Sequence, residues 1–187
     1  MPPKIKITRE KIIGAALSLV REVGEEGINA RAIAARLDAS TQPIFSNFSS
    51  MEELNLCVIE AAQEVYKDYV KKELDGGKYP PYKASGMAYI RFADEETELF
   101  KLLFMRSRTR EEMDTDDGLA ESVYGVVHKN TGLVGDYIKL FHLEMWACVH
   151  GVATMLATGY FKPSEELVSK ILTDTYLGLR KQYGIED

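Results

Sequence analysis

Residues 29–48, NARAIAARLDASTQPIFSNF, hold two short helical segments separated by a break, and this arrangement most restricts what the chain can fold into. Asn29 is a good helix cap, and Ile33, Ala34 and Leu37 follow at helical spacing. Asp38-Ala39-Ser40 interrupts the pattern with residues that favour turns and caps. A second segment, Thr41 to Phe48, carries Ile44, Phe45 and Phe48 and stops at Ser49-Ser50. Two such helices joined by so short a turn cannot bury both faces by themselves, so a third helix is required behind them. It is available upstream. From Thr8, the residues Ile12, Ile13, Ala16, Leu17, Val20 and Val23 form an apolar stripe that Gly24 and Gly27 end. The expected product is a three-helix helix-turn-helix head that offers its second short helix to the major groove of DNA.

The remainder reads as helix almost throughout, without strand alternation or internal repeat, so the fold class is all-α. A fourth helix starts at Ser50, whose hydroxyl can cap it with Glu53 three residues on, and runs through Leu54, Val58, Ala61, Val65 and Tyr69 until Asp75-Gly76-Gly77 and Pro80-Pro81. Further helices are predicted over 82–93, 97–106 and 119–129, with 107–117 a charged loop. Two long ones follow, 134–160 and 164–183, with Ser164 as a cap. The boundaries this suggests are a DNA-binding domain over 1–49 and a ligand-binding and dimerisation domain over 50–187. The last two helices are apolar on more than one face. Trp146, Val149, Ala153, Leu156 and Tyr160 form one stripe, and the small residues Ala147, Gly151, Thr154 and Thr158 another. The final helix carries both Leu167/Ile171 and Val168/Leu172/Leu179. Such helices pack on two sides, one being core and the other the seam of a homodimer.

Charge supports a division of labour. The whole chain carries −6, yet residues 1–50 hold seven basic against five acidic side chains, a net +2, which leaves −8 for the rest. A basic head on an acidic body concentrates phosphate attraction at the head. The two cysteines, Cys57 and Cys148, form no CxxC pattern and the N-terminus has no apolar signal segment, so a reduced cytoplasmic setting is expected. Residues 145–161 run without a formal charge but are short and polar for a membrane span, and a helix buried on several sides is the better reading.

From Thr8 through Leu54 the chain resembles the N-terminal domain of TetR-family transcriptional regulators. The resemblance rests on the helix-1 stripe, the segment EGINARAIA over 26–34, the run from Ser40 to Phe48 and Glu52-Glu53-Leu54. Trp146-x-x-x-His150-Gly151 is similar to a signature of one C-terminal subclass of that family. The resemblance implies a homodimer whose two heads bind the half-sites of a palindromic double-stranded DNA operator, and an unidentified small-molecule effector. Carried over by position, Thr41, Gln42 and Pro43 lie at the start of the reading helix. Gln42 can pair bidentately with adenine, and Pro43 can meet a thymine methyl. Ser46 and Asn47 point outward further along. Ser40, Asn29 and Arg31, with Lys4, Lys6 and Thr8 of the arm, are the phosphate candidates. Phe45 stands where a tyrosine commonly contacts phosphate and Met51 where a lysine is common, so weaker and less salt-sensitive binding is expected. Asp38 replaces the usual turn glycine, a position that aspartate tolerates.

No cofactor, metal or enzymatic activity is expected. His142 and His150 are too far apart on one helix for joint ligation, and no nucleophile elbow, P-loop or dinucleotide fingerprint is present. Ten residues, Tyr66, Tyr89, Phe92, Phe100, Phe104, Met105, Tyr124, Phe141, Met145 and Trp146, have two readings: the lining of an apolar effector cavity, or plain core. The function expected is a ligand-responsive regulator, a repressor released from its operator by a small apolar effector. The alternative is a helix-turn-helix regulator gated by a protein partner or without a small effector.

Overall fold

The computed structural model describes residues 7–107 and 117–185, with side chains from residue 123 onward in the second stretch. Among the described residues there are nine α-helices and no strand. They are α1 (Arg9–Val23), α2 (Ala30–Arg36), α3 (Gln42–Asn47), α4 (Met51–Asp75), α5 (Pro81–Glu95), α6 (Thr97–Phe104), α7 (Asp117–Thr131), α8 (Asp136–Ala157) and α9 (Glu165–Gln182). The chain forms two compact units, one of residues 1–67 with 96–106 and one of 68–95 with 107–187. Most of the charged loop expected over 107–117 lies outside the described residues.

In the first unit, the Thr8 hydroxyl accepts the Lys11 N–H at 3.4 Å to cap α1, and Ile12, Ala16 and Val20 are buried one turn apart. The Asn29 side chain caps α2 by accepting the Ala32 N–H at 2.9 Å, as expected, and Ile33 and Ala34 face the core. The turn after α2 passes through Asp38 at φ 49°, the one non-glycine residue with positive φ among those described. Here Ala39 N–H reaches Ala34 O at 2.9 Å and Asp38 N–H reaches Ala35 O at 3.2 Å. That pair of bonds is the Schellman pattern, which satisfies carbonyls the helix end leaves open. The second helix of the motif is shorter than the 41–48 expected. Thr41 serves as its cap, and Phe48 turns into extended backbone at φ −131°, ψ 136°, so that its ring enters the core with Ile44. Leu54, Val58 and Ala62 of α4 and Leu99, Phe100, Leu102 and Leu103 of α6 are also buried in this unit. Arg21 of α1 forks onto both carboxylate oxygens of Glu96 at 2.8 Å each.

The second unit is built on α5, α7, α8 and α9. Tyr82 faces His142 and Tyr89 faces His150, so α5 and α8 run in the same direction. Lys83 faces Ser169 and Thr173 while Arg91 faces Glu165, so α9 runs antiparallel to α5. The three come close at Gly86, where an added Cβ would lie 3.3 Å from both Leu172 and Val149 side-chain carbons. Val127, Phe141 and Met145 form a core cluster surrounded by Tyr82, Tyr176, Leu179 and Tyr183. The one buried acid among the described residues, Glu73, is paired with Arg91 at 3.1 Å.

Helix α8 is shorter than the 134–160 expected, because Gly159 at φ 68° closes it in a second Schellman arrangement, Tyr160 N–H to Met155 O at 2.9 Å. It also corrects the picture of a helix buried on several sides. Phe141, Met145, Val149, Val152, Ala153 and Ala157 are buried along one face, whereas Tyr137, Leu140, Leu143, Trp146 and Met155 are exposed in the single chain. By length and composition it is the one described helix apolar enough to cross a membrane, but its buried face is packed against α5, α7 and α9.

Candidate nucleic-acid interface

The outward surface of α3 is formed by Gln42, Phe45 and Ser46, all exposed, with Pro43 and Asn47 half-buried at its flanks and Thr41 half-buried at its start. This follows from the burial of Ile44 and Phe48 at i and i+4, which turns the intervening residues outward. The side-chain amide of Gln42 makes no hydrogen bond among the described residues, so both its donor and its acceptor are open. The Ser46 hydroxyl is committed differently: it donates to Gln42 O at 2.9 Å, leaving only lone pairs for a base edge. The Asn47 amide donates to Pro43 O at 2.7 Å and keeps its carbonyl oxygen. Phe45 is 56% exposed, a large apolar ring held outward on a short polar helix.

The head's cations sort into two groups. Arg9 pairs with Glu53 at 2.7 Å, Arg21 with Glu96, and Arg36 with Glu22, so three of the seven positive charges are neutralised within the unit. Lys11 and Arg31 are exposed and make no ion pair among the described residues. Lys4 and Lys6, the arm residues expected to meet phosphate, lie outside the described residues. Among the other phosphate candidates, Ser40 is exposed in the turn. Thr8 and Asn29 spend their oxygens on helix caps, and Asn29 also donates to Gly27 O at 3.3 Å. The pairing of Arg9 with Glu53 has no local signal in the sequence beyond the place of both residues at helix starts. Glu53 accepts the Ser49 N–H and hydroxyl at 2.7 Å each, and these bonds with Arg9 pull its carboxyl from 4.5 to about 2.

The ten candidate effector residues divide between the units. In the first, the Tyr66 ring stands edge-on to Phe104 at 5.3 Å, Phe104 lies 5.4 Å from Phe100, and Met105 is exposed. Burial pushes the Tyr66 hydroxyl up to about 12. In the second, Phe92 is fully buried beside Tyr69, and Phe141 and Met145 are core. Tyr124 stands edge-on to His142 at 5.8 Å. Trp146 stacks on His150 at 4.7 Å with 12° between planes, and the Tyr89 hydroxyl meets His150 Nδ1 at 2.9 Å. Burial lowers the pKa of both His142 and His150. No group of three or more metal-ligating side chains is gathered among the described residues.

A helix-turn-helix unit and a second, all-helical unit in one chain form an arrangement found in transcriptional regulators. The sequence family described as tetracyclin repressor-like, C-terminal domain, matches residues 82–175, half of the chain, and the protein belongs to this family, the TetR family of transcriptional regulators. Solved structures agree at the level of fold. A TetR-like transcriptional regulator from Rhodococcus sp. RHA1 superposes with a TM-score of 0.70 at 17% identity, covering 96% of this chain and 98% of the other. The multidrug binding protein EbrR, complexed with imidazole, gives 0.62 at 17% identity, covering 89% and 93%. The fatty acid degradation regulator FadR from Bacillus halodurans gives 0.62 at 16% identity, covering 96% and 99%. Comparison with curated protein sequences yields no match.

Proposed function

We propose that the protein is a dimeric repressor that reads a palindromic operator with α3 and releases it when a small apolar compound binds the body. The observation that carries this reading is the outward face of α3, where an unbonded Gln42 amide and an exposed Phe45 stand on a helix fixed from behind by Ile44 and Phe48. Glutamine can pair with adenine, and an apolar ring can meet a thymine methyl. Thr41, Pro43, Ser46 and Asn47 complete the reading set, and Ser40, Arg31, Thr8, Asn29, Lys4 and Lys6 the backbone set. Residues 1–49 are assigned as the DNA-binding domain and 50–187 as the ligand-binding and dimerisation domain.

The exposed apolar flank of α8, together with Leu167 and Leu177 of α9, supports a two-fold seam between copies. The Trp146–His150 stack and the Tyr89 bond at Gly151's neighbour support placement in the Trp/His-Gly subclass. Two of the structural neighbours are named for a multidrug-binding and a fatty acid degradation role, which favours an apolar effector here. Such a compound lowers operator affinity only through stronger binding to the released state. The test is a gel shift with duplex selected by the purified protein from a randomised pool, repeated with a panel of apolar compounds. Release by one of them supports the reading; binding without sequence preference removes it.

A further inference from the structure

We propose that Arg9 is the positioning residue of the DNA-reading helix: through one guanidinium it fixes the C-terminal end of α3 to α1 and α4, and so sets sequence discrimination without touching DNA. This rests on the reading of α3 as the base-contacting helix. At six residues α3 is far too short to hold its own geometry. Its start is weakly held, since Thr41 is in helical conformation and makes no side-chain capping bond. Ile44 is its one fully buried side chain. Its orientation must therefore come from outside the helix.

Arg9 supplies that constraint from the far side of the unit. Nη1 donates to the backbone oxygen of Asn47 at 2.7 Å, satisfying a carbonyl that the helix end leaves open. Nη2 donates to Glu53 Oε1 at 2.7 Å and reaches Cys57 Sγ at 3.2 Å. The guanidinium lies over the Phe48 ring, 4.1 Å from its centroid. The second oxygen of Glu53 holds Ser49 by its N–H and hydroxyl. A single planar fork thus joins α1, the last turn of α3, the link at 48–50 and the first turns of α4. Lysine cannot reproduce it, being a point charge with no fork and no flat face to lay on Phe48. Because Glu53 neutralises the charge, Arg9 is not a phosphate contact, and its loss leaves counterion release unchanged.

The test compares wild type with Arg9→Lys and Glu53→Gln, both conservative enough to keep the fold, in two measurements. The first is amide hydrogen exchange of the free protein over residues 44–49. The second is affinity for a duplex selected from a randomised pool by wild type against a scrambled duplex of equal length, each over a salt series. Arg9→Lys is expected to speed exchange at 44–49 but not within α2, and to cut the selected-to-scrambled ratio about 10-fold, the loss of one or two charge-assisted bonds. The salt slope is expected to stay as in wild type. Glu53→Gln is expected to move both readouts the same way and less far. Unchanged protection at 44–49 overturns the proposal, as does an unchanged ratio, or a salt slope flattened by about one in Arg9→Gln, which removes the charge and would so reveal a phosphate contact. If wild type itself prefers no sequence, the reading of α3 fails, while the exchange data still decide whether Arg9 holds that helix.

Discussion

Asp38 offers a quantitative check on the turn that sets the angle between α2 and α3. It sits at φ 49° with an exposed side chain, and the Ala39 and Asp38 amides close α2 from that conformation. A left-handed conformation costs an ordinary L-residue about 1–2 kcal/mol and aspartate less, whereas glycine adopts it freely. Glycine also carries about 0.5–1 kcal/mol of extra freedom in the unfolded chain, which offsets part of the gain. The balance places Asp38→Gly about 0.5 kcal/mol above wild type and Asp38→Ala about 0.5 kcal/mol below it. With a urea slope of about 1–3 kcal/mol/M, each change moves the midpoint by roughly 0.2–0.5 M. Asp38→Asn is the control, since asparagine tolerates the conformation but lacks the charge. Backbone geometry orders the series Gly, then Asn and Asp together, then Ala, and exchange of the Ala39 amide should follow the same order. If the three uncharged variants cluster, the effect is electrostatic and backbone geometry does not set the stability of this turn.

Four further outcomes are expected. Met51→Lys adds a cation beside α3, so it should steepen the slope of log affinity against log salt by roughly one, whereas Phe45→Tyr adds only a neutral hydroxyl and should leave that slope as in wild type; an unchanged slope for Met51→Lys would show that position 51 does not meet the backbone. His142 and His150 have folded pKa values below 6.5, so the unfolded chain binds the protons first. Stability is then full above 6.5 and falls as pH drops through the folded values, and the double variant His142→Gln, His150→Gln should flatten this limb of a pH–stability curve. Glu53, lowered from 4.5 to about 2, contributes stability that is complete above 4.5 and lost as pH falls towards 2, a loss that Glu53→Gln should remove. Leu143 is 57% exposed on α8, and Leu143→Arg should convert a dimer into particles of 21.0 kDa in sedimentation without loss of helical signal; an unaltered dimer would move the seam elsewhere.

Much of the layout was legible because helix signals are local. Thr8, Asn29, Ser50 and Ser164 cap helices close to where spacing placed them, and Asp38 takes the left-handed turn expected of it. Contacts between distant residues were not. Arg9 and Glu53 are 44 positions apart, and Tyr82 and His142 60, so nothing in either neighbourhood announces the partner. Periodicity also counts the apolar faces of a helix without saying what covers them. The stripe from Trp146 to Tyr160 looked uniform, yet Val149 and Ala153 are core while Trp146 and Tyr160 are exposed. The outward face of α3 is legible as positions, but the back-bonding of Ser46 and Asn47 to their own helix depends on rotamers that sequence does not specify.

In the proposed arrangement, two copies of this chain read a two-fold DNA site through α3. Its most direct measurement is sedimentation of the purified protein with a duplex selected from a randomised pool, for wild type and Gln42→Ala. Two chains per duplex on a palindromic consensus are expected, with Gln42→Ala weakening that duplex while leaving a scrambled one bound as before. A single bound chain, a consensus without two-fold symmetry, or an equal loss on both duplexes would contradict it.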